Sequence, residues 1–388
     1  MGMLKRKITV LIICLITALA AAIFFAAAYF NISDKVEQFS KLYMIDEMVK
    51  EDYVGDIDEK TLNDMILKGY IAGIGDKYAN YYTAEEYDEY ISVHSGKGGG
   101  MGITVLPYNN SGLLKIVQVY ETSPADIAGL KKNDIIISSG EKQFSDMDYE
   151  ESIALLQGEI GSVAEIEILR SDEKIKFSVT RDTFDVKTVV AENFDGIGYI
   201  KIRQFIKDKT FDEFEAAYND LISQNIKSVI FDVRDNGGGE LSTICDVLDF
   251  LLPEGPIIRY EDKNGIYEQI NSDAECMADI KAVVLINEST YSAAELFAAS
   301  LNDYDIATLI GKTTYGKGMM QYTVPFSDGS ALKLSISKFY PPYSDNFEGV
   351  GVIPDIEIEM DYASIQSYYD IDYKNDIQLI YSLDYLAK

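Results

Sequence analysis

From about Asp185 onward the chain alternates between two apolar patterns, and this alternation limits its fold more than any other feature. The strand-like runs "GIGYIKI", "KSVIFDV", "KAVVLIN" and "ATLIG" are separated by the helical stretches "FDEFEAAYNDLISQN", "LSTICDVLDFLL" and "SAAELFAASLND". Short apolar strands with amphipathic helices between them specify an α/β fold with a mostly parallel, helix-covered sheet. In such sheets, sites collect at the carboxyl edge of the strands. Two turns fall on that edge, "VRDNGGGEL" at 233–241 and "NESTYSAAEL" at 287–296.

The residues in these turns suggest chemistry. Three successive glycines permit close backbone approach, and N–H groups near a helix start can hold a negative oxygen. Ser292 sits where strand turns into helix, a place that presents a nucleophile. The single histidine, His94, lies about two hundred residues away in a polar linker and is given no catalytic role. Downstream, "TTYGKGMMQ" at 313–321 places Lys317 between two glycines, 25 residues after Ser292. A lysine buried there loses its proton more readily, and Ser–Lys pairs are a known alternative to the histidine triad. Residue types alone still favour the plainer reading, a helix-capping serine and a solvated loop lysine. Nucleotide binding is disfavoured, because "GKT" at 311–313 lacks the glycine that a phosphate loop needs at position 306, which is Ile.

Composition removes other classes. The formal charge is −30, from 64 acidic and 34 basic residues, so the basic footprint of a nucleic-acid binder is missing. Cys14, Cys245 and Cys276 form no metal-binding spacing. The last two are expected as free, buried thiols, and neither metal nor cofactor is expected. At the N-terminus, "KRK" at 5–7 precedes Ile8–Phe30, 23 residues without a charge. That length suits a single membrane-spanning helix with its basic end in the cytoplasm and the remainder outside. A cleaved signal peptide is the rival, although the run is long for one. Residues 31–95 are polar and helix-rich, suited to a cap or a dimer arm, with Thr83 and Glu86 spaced as a capping box. Residues 96–183 bring short strands around "GKGGGMGI" and "SPADIAGL", a small β-rich domain.

In this order, the blocks "GMGITV", "SPADIAGLKKNDIIISSGE", "GIGYIKIRQF", "VIFDVRDNGGG" and "SAAELFAASLNDYDIATLIGKTTYGKGMMQ" resemble the C-terminal processing peptidases, also called tail-specific serine proteases. The resemblance runs from about Tyr43 to Ile358. It implies a crotonase-like α/β protease core at 184–360 with an inserted PDZ domain at 96–183, flanked by the expected anchor within 1–30 and a C-terminal segment at 361–388. Carried over, the nucleophile falls on Ser292, the general base on Lys317 and a supporting glutamine on Gln321. Oxyanion donors fall on Gly238, Gly239 and Ala293, and Asp303 is a supporting acid. Gly100, Met101, Gly102 and Ile103 fall on the loop that holds a peptide's terminal carboxylate. Substrates would be proteins or peptides with apolar C-terminal tails, and the helical segment at 31–95 suits a homodimer. Two departures stand out. Tyr291 is bulky beside the nucleophile, and "YSDNFEG" at 343–349 replaces a glycine-rich segment while touching none of the catalytic positions. Rival readings are a catalytically weak relative that tethers peptides through its PDZ domain, and an apolar-ligand carrier on the same core.

Overall fold

The computed structural model describes residues 37, 39–94, 97–108, 112–273, 280–361 and 374–388. The expected anchor at 8–30, Cys14 and Cys276 lie outside the described residues. Among the described residues, no helix is long and apolar enough to cross a membrane. The chain divides into two compact units, residues 1–66 and 67–388. The first holds helix α1, at 39–52, whose Tyr43, Met44, Ile45 and Met48 are exposed.

Helix α2 (Glu59–Ala72) follows, and a short strand, β1 (Asn80–Tyr82), precedes α3 (Ala84–His94). The expected capping box forms: Thr83 N–H donates to Glu86 Oε2 at 2.9 Å, and Glu86 N–H to Thr83 Oγ1 at 3.3 Å. The strand was not expected in this helical stretch. Its "NYY" pairs antiparallel with residues 331–333 and buries Tyr81, so the tyrosines follow their strand preference once a core edge is available.

The small domain contains β2 (Lys97–Gly100), β3 (Ile103–Pro107), β4 (Leu114–Val119), α4 (Pro124–Ala128), β5 (Ile135–Ser139), β6 (Lys142–Gln143), α5 (Tyr149–Leu156), β7 (Val163–Arg170) and β8 (Glu173–Thr180). Its sheet runs β3-β4-β5-β7-β8, with β6 folded back on β5. Helix α4 starts on Ser123, whose side chain accepts the Asp126 N–H, and ends on Gly129 at φ 90°. Leu114, Ile116, Ile136, Phe144 and Ile168 give this domain its own buried core. Strand β9 (Asp182–Asp185) pairs with β2, so the two chain passages into and out of the domain run side by side.

The core continues through β10 (Val189–Phe194), β11 (Ile197–Ile202), α6 (Thr210–Ser223), β12 (Ser228–Asp232), α7 (Leu241–Leu251), β13 (Gly255–Asp262) and β14 (Tyr267–Ser272). It then runs through β15 (Lys281–Ile286), α8 (Ala293–Asp303), β16 (Ala307–Gly311), β17 (Met319–Pro325), β18 (Ala331–Tyr340), β19 (Ile356–Glu357) and α9 (Ile377–Leu386). The central sheet has the order β10-β11-β12-β15-β16-β19 and is parallel except for β10. Strand alternation gives it two apolar faces. Ile200, Phe231 and Val284 pack under α6, α7 and α8, while Tyr199, Ile230, Val283 and Leu285 pack with Leu379 and Leu386 of α9. Each fully buried side chain of this size contributes roughly 1.5–3 kcal/mol. Cys245 of α7 is a buried free thiol, and burial pushes it up to about 12. A second sheet, β1-β18-β13-β14 with β17 on β18, adds a wall that the strand–helix alternation did not announce.

Candidate active site

Strands β12 and β15 lie in parallel register, Asp232 beside Leu285, so the two turns leave the same edge together. Side chains stitch them. Asp235 N–H donates to Asn287 Oδ1 at 3.0 Å, and Asn287 Nδ2 returns a bond to Asp235 Oδ1 at 2.7 Å. Tyr291 N–H donates to the Asn236 carbonyl at 3.1 Å. Thr290 Oγ1 donates to the Val233 carbonyl at 2.8 Å, so the nearby hydroxyl that could have capped α8 is engaged elsewhere.

Ser292 begins α8 with φ 61° and ψ −120°, a conformation that non-glycine residues avoid. Such backbone costs about 1–3 kcal/mol and is the strand-to-helix elbow that exposes a nucleophilic hydroxyl. The Glu295 carboxylate accepts the Ser292 N–H at 2.8 Å, one half of a capping box. The next N–H, of Ala293, has no hydrogen-bond partner among the described residues, as the first turn of a helix requires.

The glycine turn packs directly on this elbow. A methyl group on Gly238 would lie 2.9 Å from Ser292 Cβ, and one on Gly239 only 2.0 Å from the Phe205 carbonyl oxygen. Both have positive φ, 83° and 150°, so approach and conformation each demand glycine. Their N–H groups differ. Gly238 donates to Asn236 Oδ1 at 2.8 Å, whereas Gly239 N–H has no partner among the described residues. Of the three expected oxyanion donors, Gly239 and Ala293 are thus available and Gly238 is engaged.

Lys317 is held near this edge by the same glutamate. Glu295 is fully buried and accepts Gly316 N–H at 2.7 Å, Lys317 N–H at 2.8 Å and the Thr314 hydroxyl, besides the Ser292 N–H. One carboxylate therefore ties the serine turn to the lysine turn. Burial raises its proton affinity despite these four donors. The lysine turn is gripped again from 343–349. Gly318 N–H donates to Glu348 Oε2 at 2.9 Å, Asn346 Nδ2 donates to the Gly318 carbonyl at 2.7 Å, and Gly349 N–H to the Gly316 carbonyl at 2.9 Å. This departing segment thus folds back onto Gly316 and Gly318, the neighbours of Lys317.

The Lys317 side chain is largely buried, and its pKa falls to about 8. Burial is the main cause, and Lys333 adds repulsion, against weaker attraction by Glu295, Glu348 and Asp76. Its Nζ lies 5.2 Å from the Tyr78 ring centroid and 5.4 Å from that of Tyr291. No hydrogen bond joins it to Ser292 among the described residues. Gln321 does not reach it either. Its Nε2 donates to the Met319 carbonyl at 2.8 Å and to Ser335 Oγ at 3.3 Å, next to a bulge between Met320 and Gln321 that re-aims side chains. Asp303 stands at the far end of α8, where Oδ2 accepts Tyr343 N–H at 2.8 Å and Ser344 N–H at 2.9 Å. It supports the loop that carries Asn346 and Glu348.

In the small domain, Gly100 pairs with Asp182 in the two-stranded ribbon, and Ile103 starts β3. Between them Met101 is buried, and Gly102 has φ 80° with its Cα so near Ser123 that a methyl would lie 2.2 Å from Ser123 Cβ. The Met101 carbonyl receives the Ala125 N–H of α4 at 2.8 Å, which packs the loop against that helix. Glu295, Asn346 and Glu348 were not picked out from the sequence. Glu295 carried one signal, its position three residues after a turn serine; the other two carried none.

A peptidase core whose serine elbow faces a glycine turn, joined to a PDZ domain, is the class that this architecture defines. Residues 99–180 match the PDZ domain, and residues 196–358 match peptidase family S41. The chain is 32% identical over 381 residues to the carboxy-terminal processing protease CtpA of Bacillus subtilis, covering 95% of this chain and 81% of that protein. It is 30% identical over 349 residues to a carboxy-terminal-processing protease of Bartonella bacilliformis, covering 88% and 80%. In fold it is similar to a solved S41 protease from Bacteroides fragilis, with a TM-score of 0.64 at 18% identity over 87% of this chain and 91% of that one. It is also similar to the photosystem II D1 C-terminal processing protease, with a TM-score of 0.53 at 21% identity over 82% and 86%. The chain belongs to peptidase family S41, the carboxy-terminal processing proteases, and is a serine-type peptidase.

Proposed function

We propose that Ser292 and Lys317 form the catalytic pair of a membrane-anchored endopeptidase working outside the cytoplasm. The observation that carries this reading is Glu295, which binds the backbone of both residues at once. Neutral Lys317 takes the Ser292 proton as Oγ attacks a peptide carbonyl carbon. The developing oxyanion rests on the N–H groups of Gly239 and Ala293, each worth roughly 10²–10³ in rate. Collapse expels the amine, which leaves with the proton from Lys317, and the lysine then activates water to hydrolyse the acyl-enzyme. The pair closes by rotation of the lysine side chain from between Tyr78 and Tyr291, since catalytic bonds often tighten only with substrate bound. Gln321 enters as a support of the strand leaving the lysine turn.

The PDZ domain adds an apolar substrate tail as a strand and holds its carboxylate on N–H groups around Gly100–Ile103. The charge-free length of Ile8–Phe30 supports the anchor, the exposed apolar residues of α1 support a homodimer, and the edge position of both turns supports a crotonase-like core. The deciding experiment compares wild type with Ser292→Ala. Wild type should be acylated by a fluorophosphonate probe and should cleave a tail-bearing protein, and the variant should do neither. Equal cleavage by the two would end the mechanism.

A further inference from the structure

Beside the catalytic pair lies a cavity of about 630 Å³ whose lining includes Lys77, Lys317, Lys333 and the rings of Tyr78, Tyr291 and Tyr315. Its charge is out of character for a chain of net charge −30. Three ammonium groups border it, and no carboxylate is part of the lining. Lys77 is neutralised by Glu348 at 3.1 Å. Lys317 and Lys333 form no ion pair among the described residues. Lys333 comes from β18, and its Nζ lies 5.0 Å from the Tyr90 ring centroid. Both are more than half buried, and Lys333 repels Lys317. Two lysines without an ion pair bordering one cavity raise its positive potential, because low-dielectric walls weaken screening. Of the tyrosine hydroxyls around them, that of Tyr78 already donates to Glu348 at 3.0 Å, and those of Tyr291 and Tyr315 add hydrogen-bond donors.

We infer that this cavity is a substrate subsite for a carboxylate, the side chain of an aspartate or glutamate close to the scissile bond. The inference rests on the peptidase reading and names part of its substrate class. An acidic side chain would pair with Lys333 and relieve the repulsion between the two lysines. It would also favour the protonated form of Lys317, so binding improves while the base needs a higher pH to act. Glu295, Glu348 and Asp76 already pull on Lys317 in that direction and Lys333 opposes them.

The test uses Ser292→Ala protein, which binds without acylating, and fluorescein-labelled alanine-based dodecapeptides with the same apolar tail. One Glu is moved along the peptide, with Gln in the same place as control. Every peptide has the same terminal carboxylate, so the ratio reads the side chain alone. At one or two positions Glu should bind roughly tenfold tighter than Gln, as a charge-assisted pair does. Adding Lys333→Met, or the polar Lys333→Gln if the first unfolds, should bring that ratio to within about twofold. In catalytically competent protein the preferred Glu should lower KM and raise the pH midpoint of kcat. Equal binding of Glu and Gln at every position, or a preference that survives both Lys333 variants, overturns the subsite. Loss of probe labelling would count against the Ser–Lys reading and leave this binding result readable.

Discussion

Two lysines in this core have been pushed to the same place by different surroundings. Lys317, between the glycines of the lysine turn, and Lys201, at the end of β11, both fall to about 8, and burial is the leading cause for each. Lys201 is more deeply buried and sits among charges, with Asp232 and Asp235 drawing it up and Arg234 and Arg203 pushing it down. Lys317 borders a cavity and shares an organising glutamate with a strained serine. The pair teaches that a depressed lysine marks a desolvated position. Chemistry needs, in addition, a nucleophile and room for a substrate.

Five measurements would sharpen or break that contrast. Lys317→Met should lower kcat/KM by roughly 10³-fold, within the range for removing a general base, while Lys201→Met should leave it within about twofold; similar losses in both would erase the distinction. Glu295→Gln should come next, at roughly 10–100-fold in kcat with about 1–3 kcal/mol of stability. An amide places donors against the N–H groups of Ser292 and Lys317 and leaves buried groups unpaired. A full-rate Glu295→Gln enzyme would remove Glu295 as the organiser.

The pH profile gives a smaller but more specific effect. On the proposed Ser–Lys mechanism activity requires neutral Lys317, so kcat/KM should rise with pH and level off above about 8. A midpoint near the ordinary lysine value of 10.5 would show that burial does not set the base. Lys201→Met should leave that midpoint in place. It should instead alter stability. Each buried lysine with a lowered pKa binds fewer protons folded than unfolded between about 8 and 10.5. Stability should therefore rise with pH across that window, by up to about 1.4 kcal/mol per unit for each lysine. Lys201→Met should remove one such contribution from denaturant midpoints, and an unchanged slope would argue that Lys201 is not desolvated. The smallest effect is expected for Glu348→Gln, a few-fold loss in kcat, because Gly318 keeps its bond to Asn346.

The elements around the serine were legible because period and turn chemistry coincide there. Strands β11, β12, β15 and β16 and helices α6, α7 and α8 fall on the runs that alternate in the sequence. Strands β13, β14, β17 and β18 were not picked out. Their sequences carry Arg259, Glu268, Lys333 and Lys338, which blurs an apolar alternation. Ser292 and Lys317 could be named from spacing and resemblance. What joins them could not: Glu295, Asn346 and Glu348 act on backbone groups brought near only by the folded sheet. Gln321 shows the converse. Spacing of four from the lysine suggested contact, and a β-bulge turns the amide elsewhere.

Another buried cluster lies under the glycine turn. Arg234, on that turn, pairs with Asp232 at 2.6 Å and with Asp376, the cap of α9, at 2.9 Å. Tyr199 donates to Asp232 at 2.7 Å. Burial works against the charge of Asp232, yet the Arg234 guanidinium holds it below the usual carboxylate range. Arg234 and Asp376 are 142 residues apart in the chain. A ribosome therefore finishes the serine elbow and the lysine turn before it supplies the second carboxylate that pairs with Arg234. A chain stopped short of Asp376 should label poorly with a serine-reactive probe, and full labelling of such a fragment would refute this.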